Sequence, residues 1–429
     1  MITYFDFTKT IGWMKFLKCS VLYVFLLCWV TPGTTAQTPP NLIEQLMKAR
    51  PYWFGKVLKN PAKYEVQILY TQINRDKKNK PIYQDFSYRL KPEAYFNPAS
   101  VVKLPLSLLA LEKMHQTNLL GVDKFTRMGT KASYKCQKNV PGNLPKDQNY
   151  PCLARYVEQM MLVSDNDAYS RVFEYLGSQY IQQRLAQRGY LDMRIVRRFD
   201  DECDSVTNRH TNAVIFYNDQ LEPIHYQPAR YDPSPFSFPW GTLKKGRGYL
   251  KKGYLIRRPL DVTYSNYVSL KDVHQIMKTV MFPEAAPPPY RFDLHWKDYR
   301  FLQKRLGSYP REGTLARYRA PKYFDTHKKY LYYGRKKVRV NPNIRIFNIV
   351  GWWAGYLVDS AYIVDFKNGV EFFLSALIYT NENQVFDYKF EYTTVGFPFL
   401  ARLGQTIYQH ELKRVKSRKP TLNQFKYWR

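Results

Sequence analysis

Residues 95–114 read YFNPASVVKLPLSLLALEKM. Asn97-Pro98 favours entry into a helix, and the apolar run that follows predicts one over Val101–His115. Ser100 then falls in the first turn, and Lys103, three residues on, shares its face. Lysine is an odd choice at the head of a helix that only packs. A serine hydroxyl is a weak nucleophile and needs a base within hydrogen-bond reach. A lysine whose pKa is lowered by desolvation can be that base. The helix N-terminus would also turn the Ser100 N–H toward an oxyanion formed there. Alone, S-x-x-K is common, and a serine near a helix start followed by a snorkelling lysine would satisfy it.

A second element lies downstream in MMLVSDNDAY, residues 160–169. The exact triplet Ser164-Asp165-Asn166 is rarer than S-x-x-K and stands between two helical patterns, where a side chain can project into a cleft. Asp165 or Asn166 can cap the helix that follows. A second hydroxyl near a Ser–Lys pair can relay a proton to a leaving group, and an asparagine can hold a substrate amide.

Around these motifs the pattern is strand, then helix, then strand. Tyr64–Ile73 and Phe86–Leu90, separated by the polar turn Asn74–Asn79, read as a hairpin. Helical segments are predicted at Asn41–Arg50, Ala154–Leu162, Ala168–Leu176 before Gly177, Ile181–Arg188 before Gly189, and Val273–Val280 after a cap at Ser269. Residues 223–259, rich in Pro, Gly, Tyr and Lys, read as a long basic surface loop. Ile344–Gly351, Asp359–Phe366 and Val370–Tyr379 read as strands, with Lys367-Asn368-Gly369 a tight turn, and a last helix spans Thr394–Gln409. The economical assembly is α+β, an α/β sandwich in which both chain ends build one antiparallel sheet around a large helical subdomain. The sheet part is about 37–95 and 340–429, and the helical part about 96–339.

The chain has 429 residues, 45% of them hydrophobic, enough for a sizeable core. Its formal net charge of +31 suits contact with anionic envelope surfaces. No helix-turn-helix, zinc-finger or RRM signature accompanies that charge, so nucleic acid is not expected as a partner. Lys15 and Lys18, the apolar run Val21–Val30 and the small residues Thr34-Thr35-Ala36 have the layout of a signal peptide over residues 1–36, with Met14 an alternative start. Phe25-Leu26-Leu27-Cys28 is a poor lipoprotein box, because leucine replaces the small residue before cysteine. An exported, monomeric domain of residues 37–429, periplasmic or extracellular, is expected. Export permits disulfides, and a Cys136–Cys152 bridge closing a loop with Pro141, Gly142 and Pro145 would leave Cys203 free. Neither CxxC nor HExxH occurs and the seven histidines are scattered, so neither a metal nor a cofactor is expected.

With both motifs in view, the chain resembles the serine β-lactamases and penicillin-binding proteins, whose signature is S-x-x-K, then S-D-N, then K-T-G on a strand. It looks most like the class A β-lactamase catalytic domain. The resemblance implies Ser100 as acylated nucleophile, Lys103 as general base, Ser164 as proton shuttle and Asn166 as substrate anchor, with Asp165 structural. In the third motif the sequence departs from the family. Asn348-Ile349-Val350-Gly351 stands where K-[ST]-G belongs, with Ile349 for the lysine and Val350 for the hydroxyl residue. Gly351 is kept, so Val350, Gly351 and Trp352 would line the substrate, and the Trp352 N–H would complete the oxyanion site. Lys244-Lys245-Gly246 and Lys251-Lys252-Gly253 are rival K-x-G triplets without strand context, and a residue of that lysine-rich loop would supply the missing cation. Restoring lysine at 349 is expected to restore a carboxylate anchor. For the acid that activates the deacylating water, Glu202 is the first choice, with Asp200 and Asp201 as rivals. Three functions stay open: hydrolysis of a β-lactam through an acyl-enzyme, a D-alanyl peptidase or transpeptidase acting on peptidoglycan peptides, and a catalytically silent binding protein.

Overall fold

The computed structural model describes residues 41–145, 149–200, 203–234 and 241–428; the signal-peptide reading of residues 1–36 falls outside them. Five long strands form the main sheet: β1 (Gln67–Arg75), β2 (Pro81–Tyr88), β3 (Ile344–Trp353), β4 (Tyr356–Asp365) and β5 (Val370–Tyr379). Their order is β3-β4-β5-β1-β2, antiparallel throughout. Gln67 pairs with Leu377, so the two chain ends meet in mid-sheet, as the strand–helix–strand pattern implies. Central β5, VEFFLSALIY, is apolar at nearly every position and buried throughout, whereas edge strand β2 alternates. The hairpin turns follow local chemistry. Asp76 Oδ1 accepts from Lys78 N and Lys80 N beside left-handed Asn79. Asp365 Oδ1 accepts from Lys367 N and Asn368 N before Gly369, whose φ of +63° favours glycine.

One face of the sheet carries α1 (Leu42–Lys48), α2 (Pro51–Lys59) and the C-terminal α9 (Phe397–Lys413) on a layer that includes Ile346, Val350, Leu374 and Leu400. The other face, with Ile349, Phe347 and Phe373, meets the helical part: α3 (Lys103–Thr117), α4 (Leu153–Val163), α5 (Asn166–Leu176), α6 (Ser178–Gln187), α7 (Leu270–Met281) and α8 (Trp296–Gly307). Every residue of α3 from Lys103 to Met114 is buried, which accounts for an apolar run with no polar stripe. Ser269 Oγ accepts from Asp272 N and caps α7, as its sequence predicts.

Two expectations change. Residues 223–259 are not one loop. Pro223–Gln227 joins Arg127–Lys131 and Ala213–Tyr217 in a three-stranded sheet, so the 96–339 region is not purely helical. Gly248–Lys251 and Tyr254–Ile256 form a hairpin, because Lys252 and Gly253 both take positive φ and close a two-residue turn. The disulfide joins Cys136 to Cys203, with Cα atoms 5.6 Å apart, not Cys136 to Cys152. Cys152 is held away from it, buried at the N-terminus of α4 and bridged to Arg127.

A non-reducing digest should therefore yield one linked pair of peptides carrying Cys136 and Cys203, with Cys152 alkylated only after denaturation. Cys203→Ser should lower unfolding stability by about 2–4 kcal/mol, because the bridge closes a long loop.

Candidate active site

Asn97 Oδ1 accepts from Ala99 N and sets a tight turn in which Ala99 adopts φ +44°. A 3₁₀ turn, Ala99–Val102, follows and runs into α3 at Lys103. Ser100 sits in that turn, half-buried at the mouth of the helix.

The triplet 164–166 is a junction of two helices. Ser164 ends α4 in the left-handed conformation, φ +61°. Asp165 caps α5 by accepting from Ala168 N at 2.9 Å, and Asn166 is the first residue of α5. The capping role, plain in the sequence, is what holds Ser164 in place. Two non-glycine residues with positive φ, Ala99 and Ser164, thus flank one point, as strained backbone often does at functional sites.

That point is the Lys103 side chain. Its Nζ lies 2.8 Å from Ser100 Oγ, 2.9 Å from Ser164 Oγ, 2.7 Å from Asn166 Oδ1 and 2.6 Å from the Ser164 carbonyl oxygen. An ammonium has three N–H bonds for these four oxygens. A neutral amine has two and a lone pair, so it can donate to carbonyl oxygens and accept from a hydroxyl. Lys103 is fully buried, and burial drives its pKa well below the usual lysine value. The positive charge of Lys328 adds to that, and Asp165 opposes it. Ser100, Lys103, Ser164 and Asn166, predicted as partners from two motifs, are brought together.

The strand side is mixed. Gly351 lies where β3 crosses the Ser100 turn, and a Cβ there would collide with the Pro98 carbonyl; only glycine allows this approach. Trp352 and Trp353 are exposed and, with Ser100, Asn166, Arg197 and Phe199, line a cleft of about 180 Å³. Val350, expected at the substrate, packs instead in the layer toward α9, so its side chain is unavailable there. Ile349 is wholly buried on the opposite face. Neither K-x-G triplet lines the cleft: Lys245 Nζ bonds the Glu65 carboxylate at 2.9 and 3.1 Å, and Lys252-Gly253 is the hairpin turn. A larger cavity of about 440 Å³, beside Trp296 and Tyr427, shares no residue with this cleft.

The deacylation candidates Asp201 and Glu202 fall outside the described residues. Asp200 lies 3.7 Å from Lys138. Facing Lys103 is the ring of Phe199, centred 5.2 Å from Nζ and stacked on Tyr169 at 4.2 Å. Asn266 fixes that wall by accepting from Val196 N and Arg197 N. Sequence reasoning did not single out Phe199, Arg197 or Lys328. Phe199 lies within, and Arg197 just before, the RFDDECD stretch that holds the candidate acids, whereas Lys328 looks like surface charge.

Lys103→Arg keeps the charge but cannot act as a base near neutral pH, so reaction at Ser100 should slow by about 10²–10⁴-fold in stopped-flow assays. Gly351→Ala should push β3 from the Ser100 turn and slow it by about 10²–10³-fold, the effect of losing one oxyanion donor. Ile349→Lys should give no carboxylate anchor. It buries a charge in an apolar layer, and thermal unfolding should show a loss of about 3–5 kcal/mol.

Residues 56–221 match the family described as Beta-lactamase enzyme family. The match spans Ser100, Lys103 and the 164–166 triplet and stops before β3, where the third motif departs. No curated protein matches the chain. Among solved structures, the TLA-3 extended-spectrum β-lactamase is 12% identical with a TM-score of 0.48, covering 86% of this chain and 100% of its own. PBP-A is 13% identical with a TM-score of 0.47, covering 87% and 98%. A β-lactamase from Sphaerobacter thermophilus is 10% identical with a TM-score of 0.44, covering 87% and 98%. Over residues 56–221, this α+β chain is similar to the Beta-lactamase enzyme family.

Proposed function

We propose that the protein is an exported serine hydrolase that opens a β-lactam-type amide through an acyl-enzyme on Ser100. The observation that supports this is the buried Lys103 amine, within hydrogen-bond distance of both Ser100 Oγ and Ser164 Oγ. In this reading the neutral amine takes the Ser100 proton as Oγ attacks the carbonyl carbon. The Ser100 and Trp352 N–H groups hold the oxyanion. When the C–N bond breaks, the proton passes through Ser164 to the leaving nitrogen, and Asn166 aligns the substrate amide. An ester remains on Ser100 until water hydrolyses it. The +31 charge suits work at an anionic envelope surface, with a β-lactam or a peptidoglycan peptide as substrate.

Phe199 favours a second reading within the same chemistry. An apolar ring beside Lys103 does not activate water. An enzyme built this way acylates and then keeps the acyl group, as a penicillin-binding peptidase or transpeptidase does. The catalytically silent reading rested on Ile349, and the intact Ser100–Lys103–Ser164 cluster weighs against it.

Intact-mass spectrometry after exposure to benzylpenicillin should show a full-mass adduct on the wild type and none on Ser100→Ala. An adduct that persists after free drug is removed selects the second reading, and rapid loss selects the first. Equal labelling of Ser100→Ala would remove Ser100 from its role. No labelling by any β-lactam or D-alanyl ester would leave only a binding protein.

A further inference from the structure

The segment HKKYL, residues 327–331, has the composition of a solvated surface, yet Lys328 and Lys329 are 6% and 4% exposed. It passes along edge strand β3. Asn348 Nδ2 donates to the Lys328 carbonyl at 2.7 Å, and Asp359 Oδ2 accepts from Tyr330 N and Leu331 N. Lys329 is used up in that seam, donating to Leu306 O, Ile346 O and Asn348 Oδ1 at 2.7–3.0 Å.

Lys328 points elsewhere. Its ammonium donates to Met161 O at 2.6 Å and Met160 O at 3.3 Å, carbonyls in the last turn of α4. Such carbonyls have no partner within their own helix, and the partial negative charge there attracts cations. The same helix ends at Ser164, whose carbonyl and hydroxyl meet Lys103. Two lysines from distant parts of the chain therefore meet one helix end. Among the described residues, no carboxylate hydrogen-bonds either one.

We propose that Lys328 is a positioning residue of the active site: its charge at the end of α4 keeps the Lys103 amine unprotonated and able to accept the Ser100 proton. It would supply the cation that Ile349 cannot. The proposal rests on the serine-hydrolase reading above.

The other charged groups around the pair are few. Asp165 faces Lys103 but is spent on the α5 cap and also interacts with Arg317. Behind Lys328 lie His327, Lys329 and Asp359, and Arg197 stands in the cleft wall. Burial pushes Lys328 down to about 7, with Asp359 opposing, so Lys328 carries its charge below about pH 7. Its influence is therefore felt on the acid side. Removing that charge makes Lys103 easier to protonate, and the acid limb of Ser100 acylation moves to higher pH.

The test is the acylation rate against pH with a penicillin methyl ester, which has no free carboxylate to confuse anion binding with base strength. Lys328→Gln and Lys328→Met should both raise the limb by about one pH unit, about tenfold slower at a fixed pH on the limb, and rejoin the wild type above it. Lys328→Arg should leave the limb in place. Glutamine keeps an N–H donor for the α4 carbonyls, so a purely structural role predicts rescue by Lys328→Gln, or a rate lowered equally at every pH. Either result, or an unmoved limb, overturns the proposal. If neither uncharged variant folds, the wild type decides. A limb below pH 7, where Lys328 is charged, supports the proposal, and one at or above pH 7 overturns it. A folded wild type that acylates at no pH sinks the serine-hydrolase reading first, and this proposal with it.

Discussion

Everything at the candidate site depends on burying one amine. A charged lysine deep in a protein is strongly disfavoured unless its hydrogen bonds are met, and the usual outcome is loss of its proton. Lys103 meets four oxygens, all supplied by its own helix entry and by the junction between α4 and α5. Those oxygens converge only because Ala99 and Ser164 both adopt left-handed backbone. The neighbouring residues are constrained in turn. Asp165 must cap α5, and Gly351 must lack a side chain for β3 to close over the Ser100 turn.

The edge strand β3 joins this site to the rest of the molecule. One of its faces presents Phe347 and Ile349 to the helical part, and the other presents Ile346, Asn348 and Val350 to the layer beneath α9. Asn348 bonds Asp359 on the next strand and the Lys328 carbonyl at once. Asp359 is wholly buried, and burial lifts its pKa to about 7. The seam is a polar network inside an apolar sandwich, in which Asn348, Lys329 and Asp359 are each held by partners on two other segments. Such networks fix one arrangement of their segments because a displaced member would be left buried and unsatisfied.

The parts of this arrangement legible in the sequence are the local ones. Strand and helix periods place β1, β3 to β5 and α3 to α5 within a few residues, because each buries a face that its own spacing marks, whereas β2 begins at Pro81 rather than Phe86. Ser100, Lys103, Ser164 and Asn166 could be named because their spacing is set by a helix turn and a helix junction. What failed depended on tertiary partners. Nothing in HKKYL distinguishes Lys328 from the exposed lysines of the 244–257 stretch, since its burial comes from Asn348, Asp359 and the end of α4. Loop length points to the nearer cysteine as the partner of Cys136, but the fold brings Cys203 beside Cys136 and keeps Cys152 at the N-terminus of α4. The Gly248–Ile256 hairpin is marked in sequence only by its Lys-Gly turn, which the basic, Pro- and Gly-rich composition of residues 223–259 obscures.

The pairing of Gln67 with Leu377 has a consequence for how the protein is made. Ser100 and Lys103 leave the ribosome well before the strand that covers them, Ile344–Trp353. Until residues 344–379 emerge, β1 has no partner on its inner edge, and no Gly351–Trp352 backbone lies over the Ser100 turn. Sheets that join distant segments form slowly, since a long loop must close before any contact rewards it. Until then the nascent chain carries Ser100 and Lys103 without the strand that closes over them. A chain truncated anywhere before β3 would lack three of the five strands of the main sheet and the backbone that covers the Ser100 turn.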